Sequence, residues 1–196
     1  MDIAVNGNLK MGKGVYIFNL PPLKTCTPSS WCLGKDLGKP RCYALRNNFT
    51  FPSVIKSSEE RYMLSHSKDF SHEMIEFIQK KNIKYFRIHS SGDFYSKDYI
   101  DKWIKIAKKC EKTKFRSTTR RRDLIDKIEE LNNLSNVIIR ESLDYEVSEP
   151  KTNLNFAALS HLKIVQERPV YKCQDNCEIC EHYCWGNRVN VCFDEH

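Results

Sequence analysis

Four cysteines lie within twelve residues near the end of the chain, and we call them the tail cysteines: Cys173, Cys177, Cys180 and Cys184. Because only two or three residues separate neighbours, a turning backbone can point several thiols at one centre, as zinc or an iron–sulfur cluster requires. Neighbours this close do not easily adopt disulfide geometry. The tail therefore predicts a metal site. An iron–sulfur cluster, a zinc site that only staples the chain, and disulfides or free thiols are the alternatives.

Three further cysteines lie on one predicted loop, and we call them the loop cysteines: Cys26, Cys32 and Cys42. This loop follows the apolar run Gly14–Leu20, which we predict to be the first strand and which two prolines end. Ligands of α/β proteins bind at loops that follow the carboxyl ends of strands. Because five and nine residues separate these cysteines, buried structural thiols are the alternative to ligands.

Ser91, Gly92 and Asp93, which we call the glycine turn, follow a second predicted strand at Lys84–Ser90. Gly92 allows a ligand to approach the backbone closely, and Asp93 could accept hydrogen bonds from an amine or a ribose. Capping of the next helix by Asp93 or Ser96 is the alternative.

Arg120, Arg121 and Arg122 follow a third predicted strand at Lys114–Thr119. A guanidinium group binds phosphate or carboxylate with two parallel hydrogen bonds, and Arg120 is the strongest candidate of the three. A solvated loop is the alternative.

Strand and helix patterns alternate along the chain, which predicts an α/β fold with a mainly parallel sheet. The remaining elements are predicted helices at Ser57–Gln79, Tyr95–Cys110 and Leu124–Leu131, and strands at Asn136–Arg140, Asn155–Leu159 and Lys163–Val165. Right-handed crossovers place all strand-end loops on one edge, so we expect the loop cysteines, the glycine turn and Arg120 to converge. We predict one domain over residues 1–196, with residues 173–192 as a metal-bound extension.

The composition is that of a folded globular protein, with 40% hydrophobic and 11% aromatic residues. No window is apolar enough to cross a bilayer, and residues 1–6 lack a signal-peptide pattern, so we expect a cytoplasmic protein without a membrane partner. Nine cysteines in that compartment indicate metal ligands before disulfides. The net charge of +7 favours anionic partners such as nucleic acid, although solvated lysines explain much of it.

Several motifs resemble the phage gene-product-88-like family: Cys26 with Cys42-Tyr-Ala, the segment Phe86–Tyr95, and the tail ending in Cys184-Trp. The resemblance runs from about Gly14 onward. That family is similar in layout to radical S-adenosylmethionine enzymes. The resemblance implies a phage protein in the host cytoplasm. It also implies a partial (β/α) barrel, because the chain is shorter than most full barrels.

By this resemblance, the loop cysteines hold a [4Fe–4S] cluster with one iron open to a small molecule. The glycine turn then contacts the methionine amine of S-adenosylmethionine. From their own spacing, we expect the tail cysteines to hold a second [4Fe–4S] cluster. Radical enzymes typically have three and two residues between their cluster cysteines, whereas the loop cysteines are separated by five and nine. The segment Gly34–Lys39 looks like an insertion between the last two. We therefore expect a two-cluster iron–sulfur protein, of radical-enzyme type if it is an enzyme, acting on a small molecule or nucleic acid.

Two alternatives remain at this point. The first is a non-catalytic nucleic-acid-binding protein that uses Arg120–Arg122 and surface lysines, with iron–sulfur or zinc sites as scaffold. The second is a zinc protein with seven structural cysteine ligands.

Overall fold

The structure of this chain is a computed structural model that describes residues 3–7, 10–12 and 14–194. The strands of the described part are β1 Val5–Asn6, β2 Val15–Ile17, β3 Tyr85–Arg87, β4 Lys114–Thr119, β5 Val137–Ser142, β6 Phe156–Leu159, β7 Tyr171–Lys172 and β8 Val191–Phe193. Its α-helices are α1 Ser30–Leu33, α2 Pro52–His66, α3 Phe70–Lys80, α4 Lys97–Lys109, α5 Ile125–Asn132, α6 Lys163–Glu167 and α7 Tyr183–Gly186. The described helices include none that is long and apolar enough to span a membrane.

The eight strands form one open sheet in the order β1-β2-β3-β4-β5-β6-β8-β7. Only β1 runs antiparallel to its neighbour, and all other pairs are parallel. The prediction of an α/β fold with a mainly parallel sheet is therefore confirmed. From β2 to β6 the strands lie in chain order. Neighbouring strands are parallel because helices or long loops carry the chain back between them.

The two faces of the sheet are covered differently. Helices α3, α4 and α5 pack on one face around Trp103, which contacts Phe86 and Phe115 from the strands. On the other face, Val15 and Ile17 of β2 pack with Trp185 and other residues of the C-terminal segment. The segment that carries the tail cysteines is therefore part of the core and supplies β8 to the sheet.

Most predicted elements are present, and the predicted third strand has the bounds of β4. The predicted strand at Lys163–Val165 is wrong, because these residues begin helix α6, which buries only Ile164. The sequence prediction missed β1, β7 and β8. Strands of two or three residues are too short for a readable alternation of apolar and polar side chains.

Candidate functional site

The carboxyl ends of β2 to β5 and the loops after them form one edge of the sheet, which we call the rim. The loop cysteines lie together there. The Cys32 and Cys42 thiols share a hydrogen bond, and the Cys26 thiol lies within electrostatic range of both. The fold thus joins three thiols that the sequence separates by five and nine residues.

Backbone hydrogen bonds place Cys42 beside Cys32. Cys42 N donates to Cys32 O over 3.0 Å, and Ser29 Oγ caps α1 by accepting from Cys32 N over 3.0 Å. Gly34 ends α1 with φ of 64°, and a Cβ at that position would lie 1.7 Å from Lys39 O. The residues between the two cysteines therefore loop out and leave their thiols adjacent.

Protonation differs among the three thiols. Burial raises the pKa of Cys26, although the backbone N–H of Leu23 donates to its sulfur over 3.2 Å. The hydrogen bond shared by Cys32 and Cys42 raises the pKa of Cys32 and lowers that of Cys42. The charge of Arg120 favours the thiolate at all three positions. Cys42 is therefore the thiol that most readily becomes the thiolate, the form that binds metals.

The glycine turn packs against the segment that leads to Cys26. Gly92 has φ of 80°, and a Cβ there would lie 2.5 Å from Thr25 Oγ1 and 2.6 Å from Leu20 Cβ. Ser91 Oγ donates to Leu20 O over 2.7 Å. Because only glycine fits this approach, the turn fixes the position of the Cys26 loop relative to β3.

Asp93 joins two strand ends at the rim. Its Oδ1 accepts from Thr119 Oγ1 over 2.8 Å and from Phe94 N over 2.7 Å, and its Oδ2 accepts from Arg120 N over 2.8 Å. Burial raises the pKa of Asp93 to about 6 in spite of these bonds. The carboxylate also lies within electrostatic range of Cys26. A contact between this side chain and a cofactor amine stays a prediction.

Arg120 lies between the loop cysteines and Asp144, which follows β5. Its Nη1 contacts Asp144 Oδ2 and donates to Ser29 Oγ over 3.3 Å, and Ser29 Oγ donates to Asp144 Oδ2 over 2.7 Å. Burial would raise the pKa of Asp144, but Arg120 and Ser29 hold it below its usual value. Sequence reasoning did not select Asp144 as a site residue. The available signal was its position four residues after the predicted strand Asn136–Arg140.

The other two arginines of the run are paired as well. Arg121 forms two hydrogen bonds with Asp123, over 2.8 and 2.7 Å, and Arg122 donates to Glu141 over 2.6 Å. Each of the three predicted phosphate contacts therefore has a carboxylate partner within the chain.

The tail cysteines gather on the sheet face opposite the large helices. Cys177 and Cys184 are buried, whereas the other two are half-buried. Electrostatic contacts link Cys177 to Cys180 and Cys184, and link Tyr171 to Cys173, Cys180 and Cys184. Backbone bonds hold the turn, because Cys177 N donates to the carbonyl oxygen of residue 10 and Cys177 O accepts from the amide of residue 182, both over 2.8 Å.

Three arginines approach these thiols from the strands. Arg116 Nη1 donates to Cys184 Sγ over 3.0 Å, and Arg140 Nη2 donates to Cys184 O over 3.0 Å. Arg87 lies within electrostatic range of Cys177 and Cys184. Burial lowers the pKa of Arg87 and of Arg140. Sequence reasoning missed this feature, because each arginine stands alone in a strand.

The thiol groups differ from a site preformed for one metal ion. Among the described residues, no group of three or more histidine, cysteine, aspartate or glutamate side chains is arranged to hold a single ion. An iron–sulfur cluster spreads its ligands around several iron atoms, so its thiolates need not meet at one point. The donor set at each group consists of thiols with an arginine nearby, which matches the ligand chemistry of such a cluster.

The other two cysteines are packing residues in this structure. Cys110 is buried at the end of α4, and Cys192 is buried in β8. A surface cleft of about 710 Å³ lies at the opposite end of β3 and β4 from the rim and is lined in part by Lys84 and Lys112. It contains none of the predicted site residues.

Comparison with known proteins identifies a family. The sequence model of the family described as gene product 88 matches residues 3–175. No curated protein and no solved structure matches the chain. The matched region includes the loop cysteines, the glycine turn, Arg120 and Cys173, and it covers far more than half of the sequence. The chain therefore belongs to the gene product 88 family.

Proposed function

We propose that this chain is an iron–sulfur protein with two [4Fe–4S] clusters, one held by the loop cysteines and one by the tail cysteines. The observation that carries the proposal is the grouping of seven of the nine cysteines into sets of three and four, each beside a guanidinium group. All nine are free thiols. Iron–sulfur clusters take cysteine thiolates as ligands, and a nearby positive charge favours the thiolate.

The loop cysteines would supply three thiolates to a [4Fe–4S] cluster at the rim, which would leave one of its four irons for a small molecule. We infer that S-adenosylmethionine takes this position, as in radical enzymes. A partial (β/α) barrel agrees with the chain-order arrangement of β2 to β6, which is the order found in such barrels. When bound, a reduced cluster of this kind supplies the electron for reductive cleavage of S-adenosylmethionine.

The residues of the chain then have distinct tasks. Arg120 holds a positive charge beside the three loop thiols, and Asp144 fixes the guanidinium group. Asp93 accepts hydrogen bonds from Thr119 and from the backbone of Arg120, and these bonds hold the glycine turn after β3 against the end of β4. Rigid positioning of this kind is what the protein contributes when a cofactor carries the chemistry.

The nucleic-acid-binding alternative is weakened at one point. Its phosphate contacts were Arg120 to Arg122, and each of these is paired with a carboxylate. Surface lysines would have to carry the binding. A steep loss of nucleic-acid affinity with salt would favour that alternative.

Metal and sulfide analysis of protein purified without oxygen tests the proposal. We expect brown protein with iron and acid-labile sulfide approaching about eight atoms of each per chain. Cys26→Ser and Cys180→Ser should each lose about half of the iron, because each removes a ligand from one group. Colourless protein with stoichiometric zinc after attempted reconstitution would contradict the proposal and favour the zinc alternative.

A further inference from the structure

Arg87, Arg116 and Arg140 lie on the sheet face that the tail covers. Arg87 is opposite Arg116 in the pairing of β3 with β4, and Arg140 is opposite Thr118 in the pairing of β4 with β5. The side chains at these positions point to one face, because register partners in parallel strands share a face and positions two apart along a strand do as well. Arg140 is fully buried, at 0% exposure.

None of these three arginines forms an ion pair with a carboxylate within the described part of the chain. Arg140 donates to the carbonyl oxygens of Cys184, Asn187 and Val189 over 2.8–3.0 Å. Its Nη1 is buried and has no hydrogen-bond partner among the described residues. The three rim arginines, by contrast, all have carboxylate partners.

A buried cation such as Arg140 is unstable unless a negative charge lies nearby, and Arg87 and Arg116 are half-buried beside it. The groups that can supply negative charge here are the tail thiols, because Arg116 contacts Cys184 and both Arg87 and Arg140 lie within electrostatic range of it. Four protonated thiols carry no charge. Four thiolates around a divalent metal, or around an oxidised [4Fe–4S] cluster, carry a net charge of about −2.

We propose that Arg87, Arg116 and Arg140 are the counter-charges of an anionic metal–thiolate centre on the tail cysteines, and that Arg116 is its main positioning residue. This inference rests on the proposed function in assigning a metal to the tail. It does not depend on which metal is present. The guanidinium group of Arg116 donates an N–H···S bond to Cys184 over 3.0 Å, so it contacts a sulfur that would bind the metal.

The test compares full-length wild type with Arg116→Gln, Arg116→Lys and the control Arg121→Gln, which removes an ion pair at the rim. Cys180→Ser identifies the metal that belongs to the tail. We expect Arg116→Gln to weaken retention of this metal against a chelator by about 10- to 100-fold. Arg116→Lys should retain the tail metal better than Arg116→Gln, since it keeps the positive charge. Metal retention by Arg121→Gln should match that of the wild type.

Thermal unfolding separates a counter-charge from a merely structural contact. With metal bound, Arg116→Gln should lower Tm. Without metal it should leave Tm unchanged or raise it, because the substitution then removes an unneutralised cation. If the metal-free protein is unfolded, the chelator measurement alone tests the arginine proposal.

The outcomes distinguish the two proposals. Iron in the tail with equal retention in wild type and Arg116→Gln would overturn the arginine proposal and leave the iron–sulfur function standing. Zinc in the tail with weakened retention would overturn the iron–sulfur function and support the arginine proposal. A tail without any metal in protein purified anaerobically would overturn both.

Discussion

Asp144 shows how single residues of the rim act on one another. This carboxylate is fully buried, and it is stable as an anion because Arg120 and Ser29 both face it. Ser29 in turn caps the helix that carries Cys32. The charge of Arg120 beside the loop thiols is therefore held in place by Asp144, which follows β5 and lies 24 positions further along the chain.

Gly92→Ala should destabilise the fold by more than about 2 kcal/mol. The residue has positive φ, and the new Cβ would collide with Thr25 and Leu20. Gly14→Ala is the matched control, because Gly14 has φ of 92° but no atom within 4 Å of its Cβ position. It should cost only about 1–2 kcal/mol, the price of the left-handed conformation. Denaturant unfolding of both variants measures the difference, and equal losses would contradict the collision.

Asp93 should make the stability depend on pH. Its folded pKa of about 6 lies above the unfolded value, so the native state binds more protons between about pH 4 and 6. The contribution of this carboxyl to the free energy of unfolding therefore falls as pH rises through that window. Its total change is on the order of 3 kcal/mol.

Asp93→Asn does not titrate, so its stability relative to the wild type should rise across the same interval. Urea unfolding at several pH values measures this. A constant difference between the two proteins would show that the carboxyl titrates at its ordinary pKa.

The C-terminal segment adds β8 to the sheet and packs on one of its faces. Its strand β8 lies between β6 and β7, and Cys173 N donates to Cys192 O over 2.7 Å. Glu181 and His182 have positive φ, which turns the chain sharply between Cys180 and α7. The His182 ring stacks on Tyr85 of β3 at 4.0 Å. Strand pairing and ring packing thus hold the tail cysteines against the sheet.

Cys180→Ala should remove the tail metal and lower the stability of this element. Metal binding by a closed site contributes directly to folding, so the loss should exceed that of an ordinary surface substitution. Cys110→Ala is the control, because this thiol is buried at the end of α4 and belongs to neither group. It should keep the full metal content. Metal loss from Cys110→Ala but not from Cys180→Ala would show that the ligand assignment is wrong.

At the scale of the whole molecule, the sheet separates two candidate centres. The loop cysteines lie at the rim, at the carboxyl ends of the strands, whereas Cys177 and Cys184 of the tail pack on one face of the sheet, where Cys184 contacts Arg116 of β4. Each group of thiols has its own guanidinium group: Arg120 lies near the loop cysteines, and Arg116 contacts Cys184 of the tail. We therefore expect the two centres to respond separately to substitution and to small molecules.

S-adenosylmethionine should change the electron paramagnetic resonance spectrum of the reduced rim cluster. The Cys180→Ser variant is the suitable protein, because the tail signal is then absent. Arg120→Gln removes the positive charge beside the loop thiols. This variant should therefore need an S-adenosylmethionine concentration about tenfold higher to give the same spectral change. Identical spectra with and without the nucleotide would leave an iron–sulfur protein that does not bind it.

The amino-acid sequence by itself determined the repeating strands and helices, because local side-chain periodicity reports which face of each element is buried. It also indicated that the glycine turn and Arg120 lie at the rim, since parallel strands bring their carboxyl ends to one edge. The Cys32–Cys42 contact follows from local backbone bonds around α1.

Only the tertiary structure decided the partners of the arginines. Arg120 and Asp144, or Arg116 and Cys184, are 24 and 68 positions apart, and their contact depends on strand order, register and the path of the tail. An arginine within a strand has the same local pattern whether it faces water, a carboxylate or a thiol. Its environment is set by a segment that packs against it from far along the chain, and local propensity contains no information about that segment.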